Sequence, residues 1–251
     1  MGTVYLIGAG PGAPDLISVR GAALLKRADV VFHDALVHPD LLALAARAEK
    51  IAVGKRCGRR STAQRFISKR LVDAAGRYRV VVRLKGGDPM LFGRAHEEIT
   101  ALAAAGVPFE IVPGITSALA AAAESGISLT QRGLARSVVF VTPRVGDGER
   151  PSGWAKAAAA ADTAVVYMGA GQAGEIAAAL LAAGARRGLP VLVVENATLP
   201  ESRRFALTLA ELPHIAEFGL SGPAVIMLGT VFSAALAASA GPLSLPSSKT
   251  A

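Results

Sequence analysis

Short runs of apolar, often β-branched residues alternate along this chain with longer stretches whose apolar positions recur every three to four residues. Strands alternating with amphipathic helices produce that pattern. In the first half it predicts strands at 4–7, 30–33, 51–53, 80–84 and 109–112, with helices at 16–28, 39–48, 63–75 and 95–105. After Pro113-Gly114, the hydroxyl of Thr116 or Ser117 is placed to accept an orphan N–H and cap a helix running through Ala123. The second half predicts strands at 137–142, 163–167, 191–194 and 223–228, a helix at 173–183, and a loop with helix across 144–161. The fold class is α/β, in two domains: an N-terminal one over 1–115 and a C-terminal one over 116–240. The polar, proline-bearing stretch 241–251 is expected to be a disordered tail.

Three of the predicted strands run straight into glycine. VYLIGAGPG places Gly8, Gly10 and Gly12 after the first strand, VVVRLKGGDP places Gly86 and Gly87 after the fourth, and IVPG places Gly114 after the fifth. A strand that ends on glycine lets bare backbone approach whatever lies beyond the sheet, and Asp88 adds one carboxylate there. The three junctions are expected to build one composite small-molecule pocket.

Composition narrows what such a pocket serves. A chain of 251 residues that is 52% hydrophobic can bury a full core, as one large domain or two of about half the length. No apolar run is long enough to span a bilayer, and the start MGTVYLIGAG lacks a secretory signal, so a cytoplasmic protein with no membrane partner is expected. A single cysteine, Cys57, excludes an internal disulfide, and His33, His38, His96 and His214 show no ligand spacing, so no metal is expected. The formal net charge is +8, and the stretch from 50 to 70 concentrates Lys55, Arg56, Arg59, Arg60, Arg65 and Lys69. Phe66 is the one aromatic there, so stacking partners for nucleic acid are missing and a polyanionic small molecule fits better. A solvated basic face explains most of these side chains equally well.

Gly8, Gly10 and Ala13 also satisfy the dinucleotide fingerprint G-x-G-x-x-[GA], with Asp34 ending the next strand. Pro11 and Pro14 argue against a nicotinamide or flavin cofactor, because each removes an N–H where a helix N-terminus would face pyrophosphate.

Eight segments in order carry a broader signal: VYLIGAGPGAPDLIS, ADVVFHDALV, VGKRCGRRS, VVRLKGGDPMLFGRAHEE, IVPGITSALAAAAESGISLT, VVYMG, VENATLP and PAVIMLG. Over roughly residues 3–232 the chain resembles the tetrapyrrole methylase family, and LKGGDP followed by FGR is far more specific than any glycine fingerprint. The resemblance implies two α/β domains with the cofactor in the cleft between them, and a homodimer. It implies S-adenosylmethionine as methyl donor, with S-adenosylhomocysteine as product. The implied activity is C-methylation of uroporphyrinogen III at ring carbons C2 and C7, giving precorrin-2 by way of precorrin-1 for cobalamin or sirohaem.

Carried over by motif, the resemblance assigns the cofactor to Pro11, Gly86, Gly87, Asp88, Thr116 and Ser117, and to Met168, Ala197 and Ala224. For Met168 and the two alanines, core packing alone would explain the residue type. It assigns Arg94, Glu97 and Asp34 to the reaction. Arg94 and Glu97 share a helix face at i,i+3, where Glu97 is the candidate base and Arg94 an anchor for substrate carboxylate; a surface ion pair gives the same spacing. Asp34 is placed to accept from pyrrole N–H groups or balance the sulfonium, with capping of the next helix as the competing role. Lys55, Arg56, Arg59, Arg60 and Arg132 are candidate partners for the eight substrate carboxylates. Ala95-His96, Gln131 and Pro143-Arg144 depart from the family pattern on the substrate side. A methyltransferase for a later precorrin and a non-catalytic binder of S-adenosylmethionine are the alternatives.

Overall fold

The computed structural model describes residues 1–53, 64–146, 148, 150 and 152–239. The basic positions Lys55, Arg56, Arg59 and Arg60, the single cysteine Cys57 and the tail from 241 lie outside the described residues. The chain divides into two units, Met1–Ala120 and Ala121–Ala251, each built on a five-stranded sheet.

In the first unit the order is β1 (Thr3–Gly8), α1 (Val19–Lys26), β2 (Val30–His33), α2 (Pro39–Leu44), β3 (Glu49–Ala52), α3 (Gln64–Ala75), β4 (Val80–Lys85), α4 (Ala95–Ala104), β5 (Phe109–Val112) and α5 (Ser117–Glu124), which runs into the second unit. The sheet order β3-β2-β4-β1-β5 is parallel throughout, so every connection is a crossover and both faces are covered by helices. Side chains alternate accordingly: Val4, Leu6, Phe32 and Val81 pack with Ile67 and Leu71 of α3 and Leu102 of α4. Ile7, Val31, Val82 and Leu84 pack with Leu24 and Leu25 of α1 and Leu41 of α2.

Two helix boundaries differ from the periodicity. The helix predicted from 16 begins as α1 at Val19, because Ser18 is extended and its Oγ accepts from Gly21 N at 3.1 Å. Ahead of it, Pro14–Leu16 forms a short 3-10 turn. The helix predicted to reach 48 ends at Leu44, where Ala45 leaves the helical region with ψ 58.

The second unit adds β6 (Val138–Val141), α6 (Trp154–Ala160), β7 (Thr163–Tyr167), α7 (Ala173–Ala182), β8 (Pro190–Glu195), β9 (Arg203–Thr208), β10 (Ala224–Gly229) and α8 (Ser233–Ser239). Its sheet order is β6-β7-β10-β8-β9, with only β6 and β7 parallel. Val166, Val193 and Ile226 pack with Ile176 and Leu180 of α7 and with Leu212 and Ile215 of a 3-10 segment. Sequence periodicity missed β9 because it is an edge strand opening on two exposed arginines, without a clean alternation. It missed α8 because that short segment is built of alanine and serine around a single leucine.

At the end of β8 the Glu195 carboxylate is fully buried. Oε1 accepts from Ser221 N at 2.6 Å and Gly222 N at 2.7 Å, and Oε2 accepts from Arg203 Nε at 2.7 Å. Burial favours the neutral acid, but the Gly222 amide, the Arg203 guanidinium and the Ser221 amide outweigh it and hold the Glu195 carboxyl below its ordinary range. A carboxyl depressed in the folded state contributes stability that is present above its unfolded value of about 4.3 and is lost as pH falls through the folded value. Glu195→Gln should therefore be destabilised by about 2–4 kcal/mol at pH 7, by loss of charged hydrogen bonds. Its denaturant midpoint should also fall less than that of the natural protein between about pH 5 and 3. Urea titrations across that range check both.

Candidate functional site

The three strand-to-glycine junctions of the first unit meet. Gly10 and Gly87 form an isolated bridge, with Gly87 N donating to Gly10 O at 2.7 Å and Gly10 N to Gly87 O at 3.3 Å. Both are left-handed, with φ 84 and 67, a region that favours glycine. A Cβ on Gly8 would stand 2.5 Å from the Cα of Gly114, and one on Gly114 would stand 2.3 Å from the Gly87 carbonyl oxygen. Only hydrogen fits at either position.

Asp88 ties these loops together. Its Oδ1 accepts from Met90 N and its Oδ2 from Gly114 N, both at 2.8 Å. Of the residues assigned to a cofactor, Gly86, Gly87 and Asp88 follow β4, Pro11 follows β1, and Thr116 and Ser117 follow β5. All six thus lie beyond the carboxyl edge of one parallel sheet, where open α/β sheets bind ligands. Thr116 stands at the start of α5, its carbonyl accepting from Ala120 N at 3.2 Å. A Cβ on Gly87 would meet nothing nearer than the Thr116 Cα at 4.0 Å, so bare peptide faces open space. Met90, Phe92 and Ile115 are exposed apolar side chains on the same loops, and exposed Leu36, on the loop after β2, stands beside Gly86. The edge offers peptide groups and apolar surface, which fits an adenosyl group with an amino-acid tail.

In the second unit, Met168 follows β7 and Ala197 follows β8, while Ala224 opens the antiparallel β10 between them. The register pairs Tyr167 with Val225 and Glu195 with Ala224, so all three residues sit at one end of that sheet. Ala197 is buried, and Met168 is about half exposed. Gly222 lets the chain pass the Asn196 side chain, where a Cβ would fall 2.0 Å from Oδ1.

Among the described residues, five other than glycine adopt positive φ: Phe92, Arg94, Met168, Asn196 and Thr198. All five belong to FGR, YMG or NATLP. Left-handed backbone is disfavoured for side chains of this bulk, most of all for β-branched Thr198, and such conformations gather at ligand sites.

Arg94 precedes α4 and pairs with Glu97 as the i,i+3 spacing predicts, with Nε to Oε1 at 2.7 Å and Nη2 to Oε2 at 2.9 Å. Both side chains are exposed. The pair is thus bidentate and accessible, and Arg94 already engages Glu97. Asp34 is not a helix cap; that position belongs to His38, whose Nδ1 accepts from Asp40 N at 3.3 Å. Instead Asp34 Oδ1 meets Arg83 Nη2 at 2.5 Å. Gln131 is held in a tight turn, its N–H donating to Ala135 O at 2.9 Å, and Arg132 beside it is exposed. Among the described residues no cluster of three potential ligands could hold a metal, and no helix is long and apolar enough to cross a membrane.

A group of buried charges next to Asp34 escaped the sequence reading. Arg83, Lys85 and Glu98 are almost wholly buried. Glu98 Oε1 accepts from Gln64 Nε2 and Arg83 Nε at 3.0 Å each, and Lys85 Nζ lies 3.1 Å from Oε2. Burial works against the Arg83 charge, and Asp34 and Glu98 more than offset it, raising its pKa. Burial first, and then the Arg83 charge, lower the pKa of Lys85 despite Glu98. The signal was present: a parallel strand covered on both faces should read as continuously apolar, and Arg83 and Lys85 break that rule. Glu98 likewise falls on the inward stripe of α4 with Ala95 and Leu102.

The family model of the Tetrapyrrole (Corrin/Porphyrin) Methylases matches residues 3–213. A uroporphyrinogen-III C-methyltransferase of Pseudomonas aeruginosa is 46% identical over 231 residues, covering 92% of this chain and 94% of that protein. A siroheme synthase of Azotobacter vinelandii is 46% identical over 233 residues, but the chain spans 50% of its length. The chain thus spans about half the length of the siroheme synthases it matches. The crystal structure of a uroporphyrin-III C-methyl transferase from Thermus thermophilus complexed with S-adenyl homocysteine superposes with a TM-score of 0.81 at 42% identity, over 93% of this chain and 100% of that one.

Asp88→Ala should release the loops at Gly87 and Gly114, lowering stability by about 1–3 kcal/mol through two lost charge-assisted hydrogen bonds. Amide exchange at Met90 and Gly114 should accelerate while that of β1 and β4 residues is unchanged, a local effect that exchange mass spectrometry reads directly.

Proposed function

Because the chain belongs to the tetrapyrrole (corrin/porphyrin) methylase family, we propose that it is an S-adenosylmethionine-dependent uroporphyrinogen-III C-methyltransferase. It methylates ring carbons C2 and C7, giving precorrin-2 by way of precorrin-1. The observation that chiefly supports this reading is the 46% identity to an enzyme of that name across 94% of the relative's length. The glycine-lined sheet edge, with its open peptide face at Gly87, suits the donor independently.

The donor supplies an activated methyl group on a sulfonium, so the protein's task is chiefly alignment of donor and acceptor at about 3–3.5 Å. Pro11, Gly86, Gly87, Thr116 and Ser117 hold the donor through backbone groups, and Asp88 keeps their loops in register. In the second unit Met168, Ala197 and Ala224 are the residues assigned to the donor, Met168 as an adaptable apolar wall. Asp34 faces the sulfonium or the pyrrole N–H groups. Arg94 exchanges its contact with Glu97 for a substrate carboxylate, which frees Glu97 to take the proton lost as the macrocycle rearranges. Arg132 is a further partner for the acidic side chains of the substrate. The working protein is a cytoplasmic homodimer acting on a small anionic tetrapyrrole, without nucleic-acid or membrane partners.

Calorimetry should give S-adenosylhomocysteine binding in the micromolar range or tighter. Anaerobic incubation with uroporphyrinogen III should yield products carrying one and then two added methyl groups by mass spectrometry. Arg94→Ala should retain donor affinity within about twofold and lose at least tenfold in turnover, equivalent to about 1.4 kcal/mol. Failure to bind the donor would remove the enzymatic reading, and methylation only of an already methylated precorrin would move the substrate later in the series.

A further inference from the structure

Arg83 lies on the central strand β4 opposite Phe32, one layer below the edge where Asp34 leaves β2. Its guanidinium is occupied on every side. Nε donates to Glu98 Oε1 at 3.0 Å, Nη1 to Leu84 O at 3.1 Å and Phe32 O at 3.4 Å, and Nη2 to Asp34 Oδ1 at 2.5 Å. Glu98 is itself fixed by Gln64 and Lys85. The planar fork is therefore locked from behind by a buried carboxylate and from the sides by two strand carbonyls, with one arm left to point at Asp34.

Asp34 shows the complementary asymmetry. Its Oδ1 is taken by Arg83, no described residue donates to its Oδ2, and the side chain is 27% exposed against 3% for Arg83. Its backbone is held as well, with Asp34 N donating to Leu84 O and Val37 N to Asp34 O, each at 3.3 Å. A carboxylate tethered through one oxygen and open through the other is preorganised to receive a donor or face a cation. Two buried cations beside one buried anion, Glu98, also leave one positive charge uncompensated, and Asp34 balances it.

We propose that Arg83, braced by Glu98, is the positioning residue for Asp34: it fixes the rotamer of the Asp34 carboxylate that acts in methyl transfer. This rests on the proposed role of Asp34. Lys85 and Gln64 serve by holding Glu98, and none of the four touches substrate. The side-chain length matters because a lysine at 83, with a single terminal nitrogen, cannot span Glu98 and Asp34 with the same fork.

The test compares Asp34→Asn, Arg83→Met and the double variant by steady-state kinetics and S-adenosylhomocysteine calorimetry. Arg83→Met should lower turnover at least tenfold while donor affinity stays within about twofold, and in the Asp34→Asn background it should have no further effect on turnover. A purely structural role predicts effects that multiply, and that result overturns the proposal. So does full turnover in Arg83→Met. If Arg83→Met does not fold, Arg83→Lys decides: it keeps the charge, and natural turnover there overturns the proposal, whereas a loss of about tenfold or more at unchanged donor affinity supports it. Full turnover in Asp34→Asn removes the role of Asp34 and the proposal together. An inactive Asp34→Asn beside a fully active Arg83→Met removes the proposal alone.

Discussion

Three backbone segments of the first unit meet where Gly8 and Gly114 press on each other and on the Gly87 carbonyl oxygen, so closely that no Cβ fits at Gly8 or Gly114. That contact fixes the geometry of everything at the carboxyl edge of the parallel sheet. It turns three separate strand ends into one surface of peptide groups, and Asp88 locks two of the loops by accepting from Gly114 and Met90. Any residue larger than glycine at Gly8 or Gly114 would push the loops apart by roughly a bond length or more. The donor-binding half of the proposed site is thus a property of backbone packing, with one carboxylate as its clasp.

Beneath that edge lies a layer of charge rather than of hydrocarbon. The α3 and α4 face of β4 runs from Val81 to Arg83 to Lys85, and Glu98 answers from α4. Buried ion pairs of this kind gain little net stability, because desolvation offsets most of the attraction. Their use is directional. Arg83 delivers a fixed guanidinium to Asp34 at the surface, so the apolar core ends in an oriented polar group instead of a flexible one.

The second unit solves a similar problem with different means. Its mixed sheet brings Met168, Ala197 and Ala224 to one end through an antiparallel register, and Glu195 gathers the 221–222 turn and Arg203 around a buried carboxylate. Left-handed backbone is tolerated by Asn196 but is held at Met168 and Thr198 against the preference of those side chains. In both units a carboxylate fixes the loops that carry strained or bare backbone, half-buried Asp88 in the first and buried Glu195 in the second.

By itself the sequence determined the alternation of strands and helices, the glycine junctions and the motif order, because these are local: period, turn chemistry and Cβ sterics act within a few residues. It placed Asp34, Asp88, Arg94 and Glu97 beside their elements for the same reason, and the Arg94–Glu97 pair follows from helical spacing alone. The mixed sheet of the second unit, the edge strand at Arg203–Thr208, and the burial of Arg83, Lys85, Glu98 and Glu195 were decided only in three dimensions. Whether a charged residue on a strand faces water or a partner depends on groups far along the chain, such as Glu98 against Arg83 or Ser221 against Glu195. Those pairings exist only once desolvation by the assembled layers makes an unpaired charge too costly to keep.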